Sequence, residues 1–253
     1  MGDTERRVYR MSFPQFRNKH LEAALFTPQD FIRYRGFRRK LPRKWILTYQ
    51  NSALSYFKRQ YHPERFKYSG LLNFYITKNL GFVRISGIGS PFAVTVLEEL
   101  IALGGKEFLN IGTAGGLQHE GIFLCDRALR DEGTSHHYIS NSRYSYPNLG
   151  LTKRFGDSIA KQGLGYETAA TWTIDAPYRE TISEIERYKR QGIATVEMEA
   201  SALFAVAKLR KVKIASAFVV SDVLSKEWGP KFHTFNVRRA LNKLIDAGVE
   251  CLR

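Results

Sequence analysis

The sequence predicts an α/β fold built on a largely parallel sheet that helices cover on both faces. Two observations carry this prediction: strand-like and helix-like runs alternate from residue 81 onward, and two glycine-rich stretches each follow a strand-like run. Such alternation is typical of parallel strands joined by crossover helices. With 253 residues, of which 43% are hydrophobic, the chain can bury a substantial core. We expect one domain over residues 1–253.

The regular pattern begins with "GFVRIS", which is a strand by composition. Ser90 and Pro91 then supply an N-cap and a first-turn proline for a helix. Apolar residues recur at helical spacing along this helix until Gly104 ends it. "EFLNIG", from Glu107 to Gly112, is predicted to be the next strand.

Further elements are predicted on either side of this unit. "TVEMEASALFAVAKLRK" indicates a helix, "KIASAFVVSD" a buried strand that ends at Asp222, and Val237 to Leu252 a closing amphipathic helix. The first 65 residues are interrupted by prolines and are predicted to be helices and loops around one strand, Lys44 to Tyr49.

The net charge of +15 is concentrated in an atypical, basic N-terminal portion, about residues 1–80. This portion carries 17 Lys and Arg against 5 Asp and Glu, a net charge of +12. Its cluster "RYRGFRRKLPRK", with interleaved aromatic residues, could bind nucleic acid phosphates. Because no RNA- or DNA-binding motif accompanies the charge, we interpret it as a solvated basic face that also attracts anionic substrates.

Other sequence features exclude several classes of protein. No apolar run approaches the roughly 20 residues that a membrane helix needs, and the N-terminus lacks the apolar core of a secretory signal. Cys125 and Cys251 have no metal-ligand spacing, and we expect both to be ordinary thiols in a cytoplasmic protein. His136 and His137 lack a third ligand partner, so no metal site is predicted.

Three candidate loops lie at the carboxyl ends of predicted strands, where α/β sheets bind ligands: Ser86 to Ser90, Gly112 to Gly116, and Ser221 with Asp222. In the first loop, Gly87 and Gly89 let the backbone approach a ligand, and the helix N-terminus that follows suits an anion such as phosphate. A tight turn without a ligand explains either glycine-rich stretch alone. Two such stretches one βα unit apart favour a binding crevice.

Carboxylates mark two further positions. Glu197 and Glu199 in "VEMEA" are two positions apart, so in an extended segment they point to the same side and Met198 points to the other. They could also simply complement a helix dipole. Asp222 ends an apolar strand, where a carboxyl group is either an N-cap for the next element or a proton donor in a partly desolvated cleft.

In this order and at these spacings, "SGIGSP", "NIGTAGGLQ", "VEMEASALFAVA" and "VVSD" resemble the nucleoside phosphorylase family. That family includes hexameric purine nucleoside phosphorylase, uridine phosphorylase and the methylthioadenosine and adenosylhomocysteine nucleosidases. The resemblance implies a three-layer α/β/α fold around a mixed, partly barrel-like central sheet, and homo-oligomers built from dimers. It also implies cleavage of the N-glycosidic bond of a nucleoside by phosphate or, in the nucleosidases, by water.

The resemblance assigns roles to residues of the sugar and base sites. Glu199 would bond the ribose hydroxyls, Met198 would pack against the sugar, and His20 would reach the ribose of a neighbouring subunit. Asp222 would be the catalytic acid at N7 of a purine, a task for a carboxyl group that holds a proton near neutral pH. Uridine phosphorylases generally lack this Ser-Asp pair, which favours purine substrates.

The segment "TWTIDAPYRE" resembles the family's base-binding segment. Trp172 would stack on the base and Tyr178 would form a wall, although Trp172 could instead be a core residue. Arg179 resembles a pyrimidine-recognising arginine, which would favour uracil.

On the phosphate side the resemblance is incomplete. The residues it assigns there are Ser86, Gly87, Gly89, Ser90, Thr113 and, donated across a dimer interface, Lys67. Phosphorolytic relatives also carry a glycine-aspartate-proline-x-arginine motif after the first strand and an arginine before the second glycine-rich stretch. Here these positions read "TYQNSAL" and Asn110. Nucleosidases of the family also lack the second arginine.

These observations predict a nucleoside phosphorylase that acts on purine nucleosides, with inorganic phosphate as co-substrate and no cofactor. We expect a homo-oligomer, a dimer or a hexamer, with no membrane or nucleic acid partner. Hydrolysis by water and a uridine-type phosphorylase are the alternatives. A basic nucleic-acid-binding protein on a degenerate fold is a more distant one.

Overall fold

Strands and helices alternate along most of the chain, as the sequence predicts. The computed structural model describes residues 13–16, 18–70, 72–224, 229–231 and 234–253. The first twelve residues, on which the absence of a secretory signal was predicted, lie outside them. The strands are β1 (Lys44–Thr48), β2 (Glu64–Lys67), β3 (Asn73–Ile76), β4 (Leu80–Arg84), β5 (Glu107–Gly116), β6 (Ile122–Asp131), β7 (Tyr144–Ser145), β8 (Glu167–Ile174), β9 (Ile193–Glu197), β10 (Lys213–Val223) and β11 (Gly229–Pro230). The helices are α1 (Pro28–Tyr34), α2 (Asn51–Tyr61), α3 (Ser90–Ala102), α4 (Leu149–Lys161), α5 (Ile182–Arg190), α6 (Ala200–Arg210) and α7 (Phe235–Cys251).

Within the described residues, all the strands join one mixed sheet with a closed part and an open part. Strand β5 pairs with β10, β10 with β6, β6 with β8, β8 with β9, and β9 again with β5, which closes a five-stranded ring. From β5 the sheet continues through β1, β4 and β3 to the edge strand β2. The predicted mixed, partly barrel-like sheet is confirmed, and the basic N-terminal portion supplies three strands of its open part.

Helices cover both faces of this sheet. Helices α1, α3 and α6 bury their apolar side chains against one face, and α2, α4 and α7 bury theirs against the other. The arrangement is the predicted three-layer α/β/α fold. In the part of the chain that the structure describes, no helix has the length and apolar character to span a membrane. Cys125 and Cys251 are buried free thiols.

The β4–α3–β5 unit follows its sequence signals with one difference. Pro91 lies in the first turn of α3, and Gly104, whose φ is +101°, follows its last turn. The N-cap, however, is Gly89 and not Ser90. Gly89 has φ +101°, a left-handed conformation that favours glycine, and Ser90 is already the first helical residue.

The stretch Gly112–Gly116 is not a loop, as the sequence suggested, but the last half of strand β5. It pairs with β10 along its whole length, and Gly115 and Gly116 also pair with β9. A Cβ atom on Gly116 would lie 2.7 Å from the His119 carbonyl oxygen and 2.9 Å from the Val220 side chain. The glycines therefore serve close packing where β5 runs between two strands of the ring.

Candidate active site

The link between β9 and α6 contains Met198 and Glu199, and Glu197 ends β9. The Glu197 carboxylate accepts hydrogen bonds from the backbone N–H groups of Glu199, at 2.8 Å, and Ala200, at 2.7 Å. It also accepts one from the Thr173 hydroxyl at 2.5 Å. Glu197 therefore satisfies the free N–H groups at the start of α6, so its carboxylate stabilises the helix N-terminus.

Glu199 has a different partner from Glu197 and joins the first glycine-rich loop to this link. Its Oε1 accepts a hydrogen bond from the backbone N–H of Gly89 at 2.6 Å. Beside it, the Ser90 hydroxyl donates to the Met198 carbonyl oxygen at 2.7 Å, so Ser90 fastens α3 to the link and does not cap its own helix. The structure thus brings together Gly89, Ser90, Met198 and Glu199, which are about 110 residues apart in sequence.

Burial raises the pKa of Glu199 to about 8, and the nearby charge of Glu197 adds to this effect. Burial also raises the pKa of Glu197, although its three hydrogen bonds oppose that rise. Deprotonating both groups in the folded protein places two charges in a buried, closely spaced pair, which is unfavourable.

We expect this pair to make the folded protein less stable as pH rises. The ordinary pKa of a glutamate is 4.5, so between about pH 5 and pH 8 the folded state holds a proton that the unfolded chain has lost. The melting temperature should therefore fall over this range. It should fall less steeply in Glu199→Gln, which cannot ionise at this position. Thermal melts of both proteins at matched ionic strength test this, and parallel pH curves would contradict it.

Neutral polar side chains form two hydrogen-bonded groups between the carboxyl end of β1 and the middle of β5. The Tyr49 hydroxyl donates to Asn110 Oδ1 at 3.0 Å, and Asn110 Nδ2 donates to the Ser216 hydroxyl at 3.2 Å. Gln50 Nε2 donates to the Thr113 hydroxyl at 3.0 Å. Burial and the charges of Glu199 and Glu197 raise the pKa of Tyr49 well above its ordinary value, so the phenol keeps its proton.

Asp222 lies almost buried at a β-bulge of strand β10. The register shifts between Val220 and Asp222, and the Ser221 hydroxyl donates to Asp222 Oδ1 at 2.9 Å. A bulge of this kind changes the direction of the side chains that follow it. Burial, with the nearby charge of Asp222, raises the pKa of the half-buried Glu180 to about 7. Glu180 can therefore hold a proton near neutral pH beside Asp222.

Gly115 of the closed ring lies between Asp222 and strand β9, which leads into the link that contains Met198 and Glu199. Gly115 of β5 pairs with Asp222 of β10 on one side and with Val196 of β9 on the other. Since neighbouring strands are about 5 Å apart, the backbone of Asp222 lies on the order of 10 Å from that of β9. Glu197, Met198 and Glu199 directly follow Val196.

Trp172 does not line this site. Its side chain is fully buried in the core with Leu117, Ile174 and Val196, and its indole N–H donates to Asp131 at 2.9 Å. Side chains alternate along β8, so it is Thr173 that points toward Glu197. The expectation that Trp172 stacks on a base is therefore wrong, and the core reading is correct.

Four other residues predicted to bind base, ribose or phosphate lie on exposed segments or beside a separate cavity. Tyr178, 99% exposed, and the exposed Arg179 lie in a short turn, Pro177–Arg179, after β8. Lys67 is exposed at the end of β2, the edge strand that β3 and β4 separate from β1. His20 lines a separate cavity of about 1390 Å³ between the N-terminal segment and the outer side of α3. A role for Lys67 or His20 at a neighbouring subunit's site remains a prediction.

Sequence reasoning missed several polar residues of the site. Tyr49 and Gln50 follow β1, the position of the phosphate-binding motif in phosphorolytic relatives, and Thr173 directly follows Trp172. Glu180 ends a segment interpreted only for its aromatic residues and its arginine. Tyr49, Gln50 and Thr173 lie at or just beyond the carboxyl end of a strand, which is the signal that could have found them.

The family that this architecture indicates is identified by comparison with known proteins. A sequence model of the phosphorylase superfamily matches residues 52–253, which include both glycine-rich stretches, Glu199 and Asp222. The chain belongs to the phosphorylase superfamily. Members of this superfamily include both nucleoside phosphorylases and nucleosidases.

Individual superfamily relatives are distant. An uncharacterized protein of Acanthamoeba polyphaga mimivirus is 31% identical over 141 residues, and the match covers 54% of each chain. The chain thus spans about half the length of this relative. The guanosine phosphorylase of Halorubrum lacusprofundi is 25% identical over 175 residues, which cover 64% of this chain and 73% of that protein.

Among solved structures, the AMP nucleosidase from Bacteroides thetaiotaomicron has a similar fold, with a TM-score of 0.72 at 21% identity. The superposition covers 89% of this chain and 98% of that chain. This likeness supports the superfamily fold. Both a phosphorylase and a nucleosidase are therefore among the proteins that this chain resembles.

Proposed function

We propose that the protein cleaves the N-glycosidic bond of a purine nucleoside with inorganic phosphate, giving free base and ribose 1-phosphate. The observation that carries this proposal is the arrangement around Gly115, with Asp222 on one side and the segment that leads to Glu199 on the other. Their backbones are on the order of 10 Å apart, a distance that suits a nucleoside held at both its base and its sugar.

Glu199 acts on the sugar in this proposal. As the bond between C1′ and the base nitrogen breaks, positive charge develops on the ribose, and a buried carboxylate that accepts hydrogen bonds from the ribose hydroxyls stabilises it. Met198 packs against the same sugar. The hydrogen bond from Gly89 to Glu199 fixes the carboxylate before substrate arrives, which supports its role as a preorganised group.

Asp222 acts on the base. The departing purine carries the electron pair of the broken bond, and a proton from Asp222 to N7 neutralises it. Glu180, which can hold a proton near pH 7 and interacts electrostatically with Asp222, would return a proton to it. A phosphate oxygen forms the new bond to C1′ from the opposite side of the sugar, near the Ser86 to Ser90 loop and Thr113.

Assembly and base choice also belong to the proposal. In the single chain Lys67 is exposed and His20 is half-buried. A homo-oligomer, either a dimer or a hexamer, would let both residues act at the site of a neighbouring subunit. Arg179 and Tyr178, also exposed, would contact the base only if their turn moves or a partner covers it.

Hydrolysis is the second candidate, and one observation favours it. Two neutral hydrogen-bonded pairs, Tyr49 with Asn110 and Gln50 with Thr113, lie where phosphorolytic relatives carry cations. Neutral groups of this kind can hold a water molecule as the nucleophile. Because an AMP nucleosidase has a similar fold, a nucleoside monophosphate is the alternative substrate for hydrolysis.

A product assay over purine and pyrimidine nucleosides and nucleoside monophosphates, with and without phosphate, tests the proposal. We expect inosine, guanosine or adenosine to be consumed only when phosphate is present, with one ribose 1-phosphate formed per base released. Base release at an unchanged rate in phosphate-free buffer, with free ribose as product, would establish the hydrolase instead. Cleavage of uridine alone would contradict the purine assignment.

A further inference from the structure

Arg84 is a positively charged residue at the carboxyl edge of the open part of the sheet. It is the last residue of β4, it is paired in register with Thr48 of β1, and the Ser86 to Ser90 loop begins two residues later. The backbone N–H of Ile85 donates to the Thr48 carbonyl oxygen at 2.8 Å, so this pairing continues to the edge of the loop. The position of Arg84 beside the candidate site is therefore fixed by the sheet.

The direction of the Arg84 side chain follows from the alternation along β4. Phe82, two residues earlier, packs against Phe57 of α2 with ring centroids 4.1 Å apart. Arg84 therefore leaves the sheet on the α2 side. Thr48 lies beside it on the same side, since residues paired in register on parallel strands point the same way. Within the site, Arg84 is thus on the side of the sheet that faces α2.

This side also carries the polar row that ends at the second glycine-rich stretch. The Thr48 hydroxyl donates to Gln50 Oε1 at 3.2 Å, and Gln50 Nε2 donates to Thr113 at 3.0 Å. Thr48, Gln50 and Thr113 are all neutral. The guanidinium of Arg84 is therefore the charged end of a row of neutral hydrogen-bonding groups along the edges of β4, β1 and β5.

The charge of Arg84 is not compensated within the part of the chain that the structure describes. Its half-buried side chain makes no hydrogen bond or ion pair with any described residue. Other arginines are engaged: the exposed Arg210 forms a bidentate ion pair with Glu98, and the buried Arg130 donates to a serine hydroxyl and to backbone carbonyls. An arginine next to a glycine-rich loop and without such partners retains its full capacity for a ligand.

We propose that Arg84 binds a phosphate group at this edge, in place of the arginine that the sequence lacks after β1. The guanidinium fork can donate two parallel hydrogen bonds to phosphate oxygens, and the row from Thr48 to Thr113 offers neutral groups beside it. If the bound group is free phosphate acting as the nucleophile, this inference rests on the proposed function. The same chemistry fits the 5′-phosphate of a nucleotide substrate.

Steady-state kinetics of Arg84→Gln and Arg84→Lys distinguish these sources. With saturating nucleoside, we expect Arg84→Gln to raise the KM for inorganic phosphate about 10- to 100-fold, the range for loss of hydrogen bonds from a charged donor. The KM for nucleoside should change little, and Arg84→Lys should fall between the two. Arg190→Gln, an exposed arginine at the end of α5, is the matched control. A phosphate KM unchanged by Arg84→Gln, in a wild-type enzyme that needs phosphate, would overturn the assignment.

A wild-type enzyme that needs no phosphate would refute the proposed phosphorolysis but still test Arg84. The comparison is then between a nucleoside and its 5′-monophosphate. If Arg84 holds the 5′-phosphate, Arg84→Gln lowers kcat/KM for the monophosphate and leaves the nucleoside unaffected; equal effects on both overturn the assignment. A readout without turnover is the melting temperature, which phosphate or the monophosphate should raise in the wild type and in Arg190→Gln but not in Arg84→Gln.

Discussion

Glu199→Gln is expected to lower kcat/KM for the nucleoside about 100- to 1,000-fold, the cost of removing one preorganised electrostatic group at a site of developing charge. The substitution keeps the shape of the side chain and lets an amide oxygen still accept the 2.6 Å hydrogen bond from Gly89. What it removes is the negative charge that stabilises the ribosyl cation, so the effect is measured above pH 8, where Glu199 is ionised. The loss should therefore appear mainly in kcat, because the charge develops in the transition state.

Two measurements separate this effect from misfolding. Glu186→Gln changes an exposed glutamate of α5 and should keep wild-type kinetics. The melting temperature of Glu199→Gln should equal or exceed that of the wild type above pH 8, because a buried charge has been removed. Wild-type kcat in Glu199→Gln would show that its carboxylate only fixes the Gly89 loop.

Asp222→Asn is expected to lower kcat for inosine or guanosine about 100-fold or more, within the usual range for the loss of a general acid. An asparagine at the bulge can still accept from the Ser221 hydroxyl, so the local backbone should persist. It cannot transfer a proton to N7 of the purine. The departing base then leaves as an anion, which is a poorer leaving group.

A substrate that needs no protonation provides the discriminating control for Asp222. In 7-methylguanosine the N7 position already carries a methyl group and a positive charge. Asp222→Asn should therefore cleave it nearly as well as the wild type does, while Asp157→Asn, an exposed aspartate of α4, should leave both activities unchanged. An equal loss with guanosine and 7-methylguanosine would assign Asp222 to binding or packing and not to proton transfer.

The local signals of the sequence predicted most of the fold. Glycine and proline at the ends of α3, and the apolar run that became β10, gave the βα unit and the central strand nearly to the residue. These signals succeeded because each acts over one or two turns of chain. The closed ring came from the family resemblance, since it depends on the pairing of Gly115 with a strand about 80 residues away.

The errors at the site have the same physical origin. The glycines in Gly112–Gly116 suggested a loop because the amino-acid sequence does not show that His119 and Val220 pack closely against Gly116. Trp172 suggested a stacking surface because the face of β8 on which it lies depends on α5 and β9 covering it. By contrast, Met198, Glu199 and Asp222 could be singled out because their residue types and spacing form a long motif.

Strand β5 is shared by the closed ring and the open half of the sheet, and this has a consequence for how the superfamily can vary. The side chains expected to hold sugar and base hang from the ring, whereas Tyr49, Gln50 and Arg84 hang from the open half. Because both parts of the sheet share β5, the distance between the sugar-binding side chains and the nucleophile-binding side chains is fixed. The residues of each part can then be substituted without moving the other part. Under the proposed function, a change of nucleophile requires replacing side chains of the open half and of the shared strand β5, while Met198 and Glu199 can be kept.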